Sequence, residues 1–147
     1  MIHIQKMALV PYTVNEMFTL VNEISHYPKF LPWCKSATKH PQNEDESEVI
    51  ATIIMGGAGL EKSFTTTNVI TPNEKIEMRL LKGPFNHLQG HWNFIPLGTD
   101  GCKVSLNLEF QISNPLLRIS LEPVFTKIAN SLVDAFVKRA NELYGKS

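Results

Sequence analysis

The sequence lacks the features that define several common classes of protein. Its 147 residues contain two cysteines, too few for disulfides to hold together a domain of this size, so a reducing, cytoplasmic location is predicted. Its most apolar stretch, residues 49–60, is interrupted by three glycines and is too short to span a bilayer. His3 and Lys6 precede Pro11, a pattern unlike the apolar core of a signal peptide. A secreted or membrane-spanning protein is therefore not expected.

An excess of charge of either sign is also missing. Fourteen Lys and Arg residues balance fourteen Asp and Glu residues, so the formal net charge is zero at pH 7. Long-range attraction to nucleic acid or to an anionic membrane needs an excess of basic residues. We therefore expect no DNA partner, and a partner recognised mainly through shape and apolar surface. The 43% of hydrophobic residues predicts one globular domain that spans residues 1–147 and buries a substantial core.

Alternation of apolar and polar residues predicts a β-sheet over much of the chain. The pattern starts in residues 2–7 and recurs over residues 49–110, where it is broken by turn residues near 72–73 and 100–101. Short turns between alternating segments are typical of an antiparallel meander with one buried face. Such a face needs another element to cover it.

One helix is predicted before the meander and one after it. Thr13 and Glu16 have the spacing of a capping box, so we predict a helix over residues 14–23. Asn114-Pro115 is a helix start signal and Gly145 is a helix end signal. Apolar residues between them recur at spacings of three and four and predict a long helix that covers the sheet. This stripe consists of Leu117, Leu121, Val124, Phe125, Ile128, Leu132, Phe136, Ala140 and Leu143.

Proline interrupts the long helical pattern at Pro123. Its ring clashes with the carbonyl four residues earlier, so the helix must bend or divide there. A strand, a short helix, a meander and a C-terminal helix together predict the α+β fold class.

Metal and phosphate sites are not expected. His87 and His91 are four residues apart in a strand-like segment, which separates them by about 13 Å, too far for one ion. Residues 56–63 resemble a phosphate loop only superficially, because Glu61 stands where the motif needs a glycine. The glycines instead predict a hairpin tip, which could act as a mobile gate over a cavity.

Catalytic chemistry is not indicated either. The sequence contains no Gly-x-Ser-x-Gly elbow, and neither cysteine lies in a Cys-His signature. His91, Glu109 and Arg79 each alternate with large apolar neighbours. We therefore expect these three side chains on the outer surface of the sheet.

The segment from Tyr27 to Trp33 is unusual, because two prolines and three aromatic residues occupy seven positions. It is too interrupted for a long helix and too apolar for an ordinary loop. Aromatic residues and prolines at the rim of a sheet often form a pocket mouth or a partner surface. Periodicity leaves open whether the space between sheet and helix is filled or forms a cavity.

Several motifs resemble the coenzyme Q-binding family of the START-like superfamily, which includes RatA-type bacterial members. The motifs are Ala8–Tyr12, Tyr27–Cys34, Lys62–Thr66, Gly83–Phe85 and Trp92–Leu97. The resemblance covers almost the whole chain, and the Tyr-Pro-x-Phe-Leu-Pro-x-Cys string is its most specific part. It implies a helix-grip fold, in which a curved antiparallel sheet wraps around a long C-terminal helix and short helices follow the first strand.

The resemblance implies three functions. The first is non-enzymatic binding of ubiquinone or a similar isoprenoid lipid, which supports respiratory electron transport. The protein would then have no further cofactor, would lie at the periphery of the inner membrane, and would meet respiratory components there. The second is RatA-type association with the large ribosomal subunit, which blocks translation initiation. The third is a polyketide cyclase- or dehydratase-like enzyme, for which the sequence supplies no catalytic set.

The lipid-binding function implies a set of cavity residues. Asn68 and Thr66 are expected to contact a quinone ring, and Tyr27, Phe30 and Trp33 are expected to anchor the entrance. The remaining expected wall residues are Phe64, Met78, Trp92, Phe125, Ile128, Leu132 and Phe136.

Charge helps to choose between lipid and ribosome. A ribosome-binding surface should be basic. Lys127, Lys138, Arg139 and Lys146 provide only a thin basic face, which Asp134 and Glu142 dilute. Zero net charge therefore favours lipid binding over ribosome binding.

Overall fold

The computed structural model describes residues 1–57 and 59–145. Ala58, in the predicted hairpin tip, and Lys146, in the predicted basic surface, lie outside the described residues. The elements in chain order are β1 (Ile2–Val10), α1 (Val14–Asn22), a 3₁₀ helix (Ile24–Lys29), β2 (Cys34–Pro41), β3 (Glu48–Gly57), β4 (Leu60–Thr71), β5 (Lys75–Lys82), β6 (His87–Leu97), β7 (Gly101–Gln111), α2 (Pro115–Ser120) and α3 (Glu122–Tyr144).

The seven strands form one antiparallel sheet in the order β1-β7-β6-β5-β4-β3-β2. Side chains alternate between its two faces, as the period of two predicts. In β7 the inward residues are buried, from Cys102 to Phe110, whereas the outward residues between them are only half-buried. The sheet curves around α3, so the predicted α+β helix-grip fold is confirmed.

The capping box at the start of α1 is present. Thr13 Oγ1 accepts a hydrogen bond from the Glu16 amide at 3.1 Å, and Glu16 Oε1 accepts one from the Thr13 amide at 3.0 Å. These bonds satisfy two amides that a helix start would otherwise leave without partners. The helix ends at Asn22, one residue earlier than predicted.

The predicted long helix is divided into α2 and α3 near Pro123. The Asn114 side chain accepts hydrogen bonds from two amides of α2, and Pro123 lies in the first turn of α3, where proline needs no hydrogen-bond partner. The division changes which residues face the core. Val124 and Leu143, which the predicted stripe included, are 42% and 51% exposed.

The buried face of α3 differs from the predicted stripe because the helix restarts after Leu121. Its buried residues are Phe125, Ile128, Ala129, Val133, Phe136 and Ala140. Ala129 and Val133 have no place in the predicted stripe. Leu132 is half-buried at the edge of this face.

Two aromatic clusters hold α3 against the sheet. Phe125 packs edge-on against three rings, those of Phe64, Phe85 and Phe110, with centroids 4.8 to 5.9 Å apart. Eleven residues later, Phe136 packs edge-on against three more rings. These belong to Tyr27, Phe30 and Trp92, with centroids 5.3 to 5.4 Å from Phe136. We call these groups the Phe125 cluster and the Phe136 cluster.

The strand register gives the sheet two distinct ends. The β3–β4 and β5–β6 connections lie at the end where β7 leads into α2, because Gly57 pairs with Leu60 and His87 pairs with Gln111. The Arg118 side chain donates to the carbonyl of Ile112 at 3.3 Å, which holds α2 at this end. We call this end of the sheet the α2 end. The β2–β3, β4–β5 and β6–β7 turns lie at the opposite end.

Truncation of a central ring should lower stability strongly. Phe136 is 1% exposed, and Phe136→Ala leaves a cavity in the Phe136 cluster. We expect the free energy of unfolding to fall by about 3–5 kcal/mol, measured by urea denaturation. Leu143→Ala, on the exposed side of the same helix, should change it by no more than about 0.5 kcal/mol. Equal losses for the two variants would contradict the assigned orientation of α3.

Candidate functional site

An apolar cavity of about 90 Å³ lies between the inner face of the sheet and α3. Most of the residues predicted to line a cavity do line it. They are Tyr27, Trp33, Phe64, Thr66, Asn68, Met78, Trp92, Phe125, Ile128, Leu132 and Phe136. The sequence analysis missed Ile24, Ala51, Ile53, Leu88, Leu106 and Leu108. Five of these six lie on strand positions whose alternation already marks them as inward-facing.

Phe30 does not line the cavity. Its ring packs against Tyr27 and Phe136, and the guanidinium of Arg139 lies 5.2 Å from its centroid. Phe30 is half-buried at the surface side of the Phe136 cluster, where its ring can interact with the Arg139 cation. Its expected role as an entrance anchor stays a prediction.

Tyr27 lines the cavity but is not an exposed entrance residue. It is 8% exposed, and its hydroxyl donates a hydrogen bond to the carbonyl of Val21. Burial raises the pKa of this hydroxyl, and the nearby Cys34 adds to the effect. Tyr27 thus ties the segment after α1 to the core, which corrects its predicted position. Trp33 is half-buried and lines the cavity.

One buried polar pair interrupts the apolar lining. Thr66 and Asn68 are 6% and 3% exposed, on the inward face of β4, and they are two residues apart, so their side chains point to the same side of the sheet. The Thr66 hydroxyl donates to Asn68 Oδ1 at 2.7 Å. This bond leaves the two amide hydrogens of Asn68 as donors that a bound acceptor could use.

The size of the cavity limits what it can hold. Pockets for small organic ligands are usually about 300–1,000 Å³, and this one is about 90 Å³. An isoprenoid quinone could therefore enter only if lining side chains moved. Periodicity leaves open whether the space between sheet and helix is filled or forms a cavity, and the structure has a small cavity there.

Acid–base groups are scarce in the cavity. Of the described residues that line it, Tyr27 is the one with a titratable side chain, and its hydroxyl is already bonded to the backbone. Both thiols lie in the buried core, where burial raises the pKa of Cys34 and of Cys102. The protonated thiol is a poor nucleophile. This lining can surround an apolar molecule and donate a hydrogen bond to it.

The polar residues considered for catalysis lie on the outer face, as predicted. Glu109 Oε1 is 2.9 Å from His87 Nε2, and Glu109 Oε2 is 3.5 Å from His3 Nδ1. Arg79 is exposed and His91 is half-buried. No group of three or more potential metal ligands occurs among the described residues. Likewise, no helix in the described part of the chain is long and apolar enough to cross a membrane.

Charge is distributed unevenly between the two ends of the sheet. The three turns at the opposite end carry five acidic residues and no basic one: Glu44, Asp45, Glu46, Glu74 and Asp100. Strand termini and helices at the α2 end carry five basic residues, Lys35, Lys62, Lys82, Arg118 and Lys127. The acidic residues at that end are Glu61, 3.3 Å from Lys35, Glu109 and Glu122. The strand ends beside the acidic turns also carry Lys39, Lys75 and Lys103. Basic residues thus outnumber acidic ones at the α2 end, whereas the turns at the opposite end are acidic.

Three comparisons relate the chain to known proteins. A profile of the family described as polyketide cyclase / dehydrase and lipid transport matches residues 10–137. The chain is 45% identical over 143 residues to a Pseudomonas aeruginosa protein named ribosome association toxin RatA, with 97% of this chain and 98% of that one covered. It is 26% identical over 138 residues to a Dictyostelium discoideum protein named coenzyme Q-binding protein COQ10, mitochondrial, with 92% and 67% covered.

A solved structure supports the fold. The START superfamily protein from Mycobacterium smegmatis superposes with a TM-score of 0.79 at 19% identity, covering 96% of this chain and 98% of that one. The expected likeness to START-like, RatA-type and coenzyme Q-binding proteins is confirmed.

Loss of the buried hydroxyl should be costly. Thr66→Val keeps the shape of the side chain but leaves Asn68 Oδ1 without its donor. We expect the free energy of unfolding to fall by about 1–3 kcal/mol, measured by urea denaturation. The matched control is Thr52→Val, because Thr52 bonds to Thr65 at 2.9 Å in a part-buried pair where water can replace the lost partner. A Thr66→Val loss no larger than the control loss would contradict the buried pair.

Proposed function

The chain belongs to the polyketide cyclase / dehydrase and lipid transport family, and from that premise we propose that it is a ribosome-associating protein that binds the large subunit and so inhibits translation initiation. One observation carries the proposal: the 45% identity to a ribosome association toxin runs over 97% of this chain and 98% of that relative. Two further relatives with the same name, from Vibrio cholerae, are 38% identical over 143 residues. The likeness to COQ10, at 26% identity, supports the quinone function less strongly.

A protein with zero net charge can still bind RNA if its basic residues are grouped on one surface. The five basic residues of the α2 end lie apart from the acidic turns, and at about 0.1 M salt, where the Debye length is about 10 Å, acidic residues beyond that distance weaken them little. Each cation that contacts an RNA phosphate releases counterions, which contributes affinity at low salt. The α2 end is therefore the surface that we assign to ribosomal contact.

A second function is supported by the cavity. Apolar walls with one polar pair, Thr66 and Asn68, whose Asn68 amide can donate, suit a small apolar molecule that carries a carbonyl oxygen. The Asn68 amide would donate to that oxygen, and the walls would exclude water. We propose that the protein holds a quinone head group or similar lipid there, without catalysis.

Charge reversal at the α2 end should weaken ribosome binding. We expect Lys62→Glu combined with Lys82→Glu to lower the affinity for large subunits at least about tenfold at low salt, because four units of charge change at the contact. Gradient sedimentation with separated ribosomal subunits measures this. Wild-type binding should also fall steeply as salt rises.

The matched control changes the same charge at the other end. Lys75→Glu combined with Lys103→Glu alters β5 and β7 near the acidic turns and should leave sedimentation unchanged. Wild-type protein that fails to migrate with large subunits at low salt would refute ribosome association. Equal losses for the two double variants would refute the α2 end as the contact.

Ligand uptake should depend on the buried amide. We expect purified protein to bind a short-chain ubiquinone, and Asn68→Leu to weaken that binding about tenfold through loss of one hydrogen bond. Native mass spectrometry or titration of intrinsic fluorescence measures it. Asn93→Leu, on the outer face of β6, is the control. Absence of uptake by the wild type, or equal binding by Asn68→Leu, would refute the cavity function.

A further inference from the structure

The α2 end carries two strongly exposed aliphatic side chains. Leu116 and Ile119 are 78% and 77% exposed, the highest values among the large hydrophobic residues that the structure describes. They are three residues apart in α2, so they project from the same side of the helix. On its other side α2 contacts the protein through Leu117, which is half-buried and packs against the buried core that contains Phe125, and the chain after α2 is anchored by the fully buried Leu121.

Two further aliphatic side chains are exposed toward the α2 end. Val124 in the first turn of α3 is 42% exposed, and Leu81 near the end of β5 is 56% exposed. A helix at the surface of a soluble protein normally presents polar residues outward. Here two of the exposed positions, Leu116 and Ile119, are aliphatic, and no described residue covers them.

Basic residues are close in sequence to these aliphatic residues, which we call the apolar tip. Arg118 lies between Leu116 and Ile119 in sequence, Lys127 follows Val124 by one turn of α3, and Lys82 follows Leu81. Glu122 is the acidic residue within this group. Aliphatic side chains bordered by Lys and Arg are typical of segments that lie in the interface of an anionic bilayer.

We propose that the α2 end docks on an anionic lipid bilayer, with Leu116 and Ile119 inserted below the headgroups and Lys82, Arg118 and Lys127 against the lipid phosphates. RNA shares the phosphate chemistry, but proteins grip exposed RNA bases with aromatic rings or arginine planes, and the tip presents aliphatic chains. The inference goes beyond ribosome association and does not depend on it.

Vesicle flotation tests the proposal with the whole chain. Two vesicle types are used: phosphatidylcholine alone, and equal parts phosphatidylcholine and phosphatidylglycerol. The wild type should bind the anionic vesicles at least about tenfold more strongly, because each nearby cation strengthens the attraction about fivefold. Leu116→Ser combined with Ile119→Ser should lower that binding about tenfold or more, because two aliphatic chains no longer leave water.

A matched control uses exposed leucines at the opposite end. Leu9 and Leu97 are 65% and 46% exposed, and Leu9→Ser combined with Leu97→Ser should leave vesicle binding unchanged. Anionic-vesicle binding that is absent in the wild type, or equal in the two double variants, would overturn the proposal.

A second variant gives a readout that does not depend on removing apolar surface. Ile119→Trp should gain fluorescence that brominated phospholipids quench in anionic vesicles, beyond any quenching of the two native tryptophans. Unquenched added fluorescence would place the tip outside the bilayer and overturn the proposal.

Ribosome sedimentation of the same variants separates the two partners. The Leu116→Ser, Ile119→Ser protein should still migrate with large subunits, since the cations remain. If it loses ribosome binding while it keeps vesicle binding, the tip serves the ribosome and the bilayer proposal fails. If the wild type binds vesicles but never ribosomes, ribosome association fails and the bilayer proposal stands.

Discussion

The structure depends on how α3 is fixed at two points along the inner face of the sheet. Phe125 and Phe136 are eleven residues apart, close to three helical turns and about 16 Å, so both rings point to the same side of the helix. Each ring packs edge-on against three others, a geometry that fixes orientation as well as distance. Between these clusters the helix presents Ile128 and Leu132, which leave part of the space unfilled. The cavity is thus a consequence of where the large rings lie.

A cavity made in this way would ordinarily be only a loss of packing. The Thr66–Asn68 pair gives it a chemical character, because a buried amide that still has hydrogens to donate is costly unless something accepts them. The pair lies on β4, a central strand whose backbone is fixed by neighbours on both sides. A donor held on a rigid strand within apolar walls suits selective binding of a carbonyl-bearing molecule more than it suits proton transfer, since neither side chain titrates near neutral pH.

Sequence patterns were sufficient to predict the helices, the strands and most of the cavity lining. They were insufficient to predict how the two ends of the sheet differ. Period two identifies which face a residue such as Met78 takes, and the Thr13–Glu16 spacing identifies where α1 begins, because both are local rules. Tyr27 and Phe30 lie in a segment without periodicity, so their positions depend on tertiary packing alone. Tyr27 is buried and its hydroxyl bonds to a backbone carbonyl, whereas the Phe30 ring stacks against Arg139. Pro123 predicted an interruption of the helix. It did not predict the rotation of α3 that exposes Val124, because that rotation depends on where α3 begins. Net charge did not predict a basic surface, because the sum of the charges does not say where each charged residue lies in the fold. The acidic turns come together only through the strand register.

The two proposed partners of the α2 end are both polyanionic surfaces, and this imposes a relation between them. Lys82, Arg118 and Lys127 can neutralise the phosphates of a bilayer or of an RNA, and one surface cannot face both at once. Binding to one must therefore reduce occupancy of the other by mass action. The buried core around Phe125 joins this end to the cavity, because Leu117 of α2 packs on that core while Phe125 and Phe64 also form cavity wall. A bilayer at the α2 end would thus lie next to part of the cavity wall, whereas a ribosome there would cover that end. On these proposals, membrane contact and ligand exchange belong to one state of the protein, and ribosome contact belongs to the other.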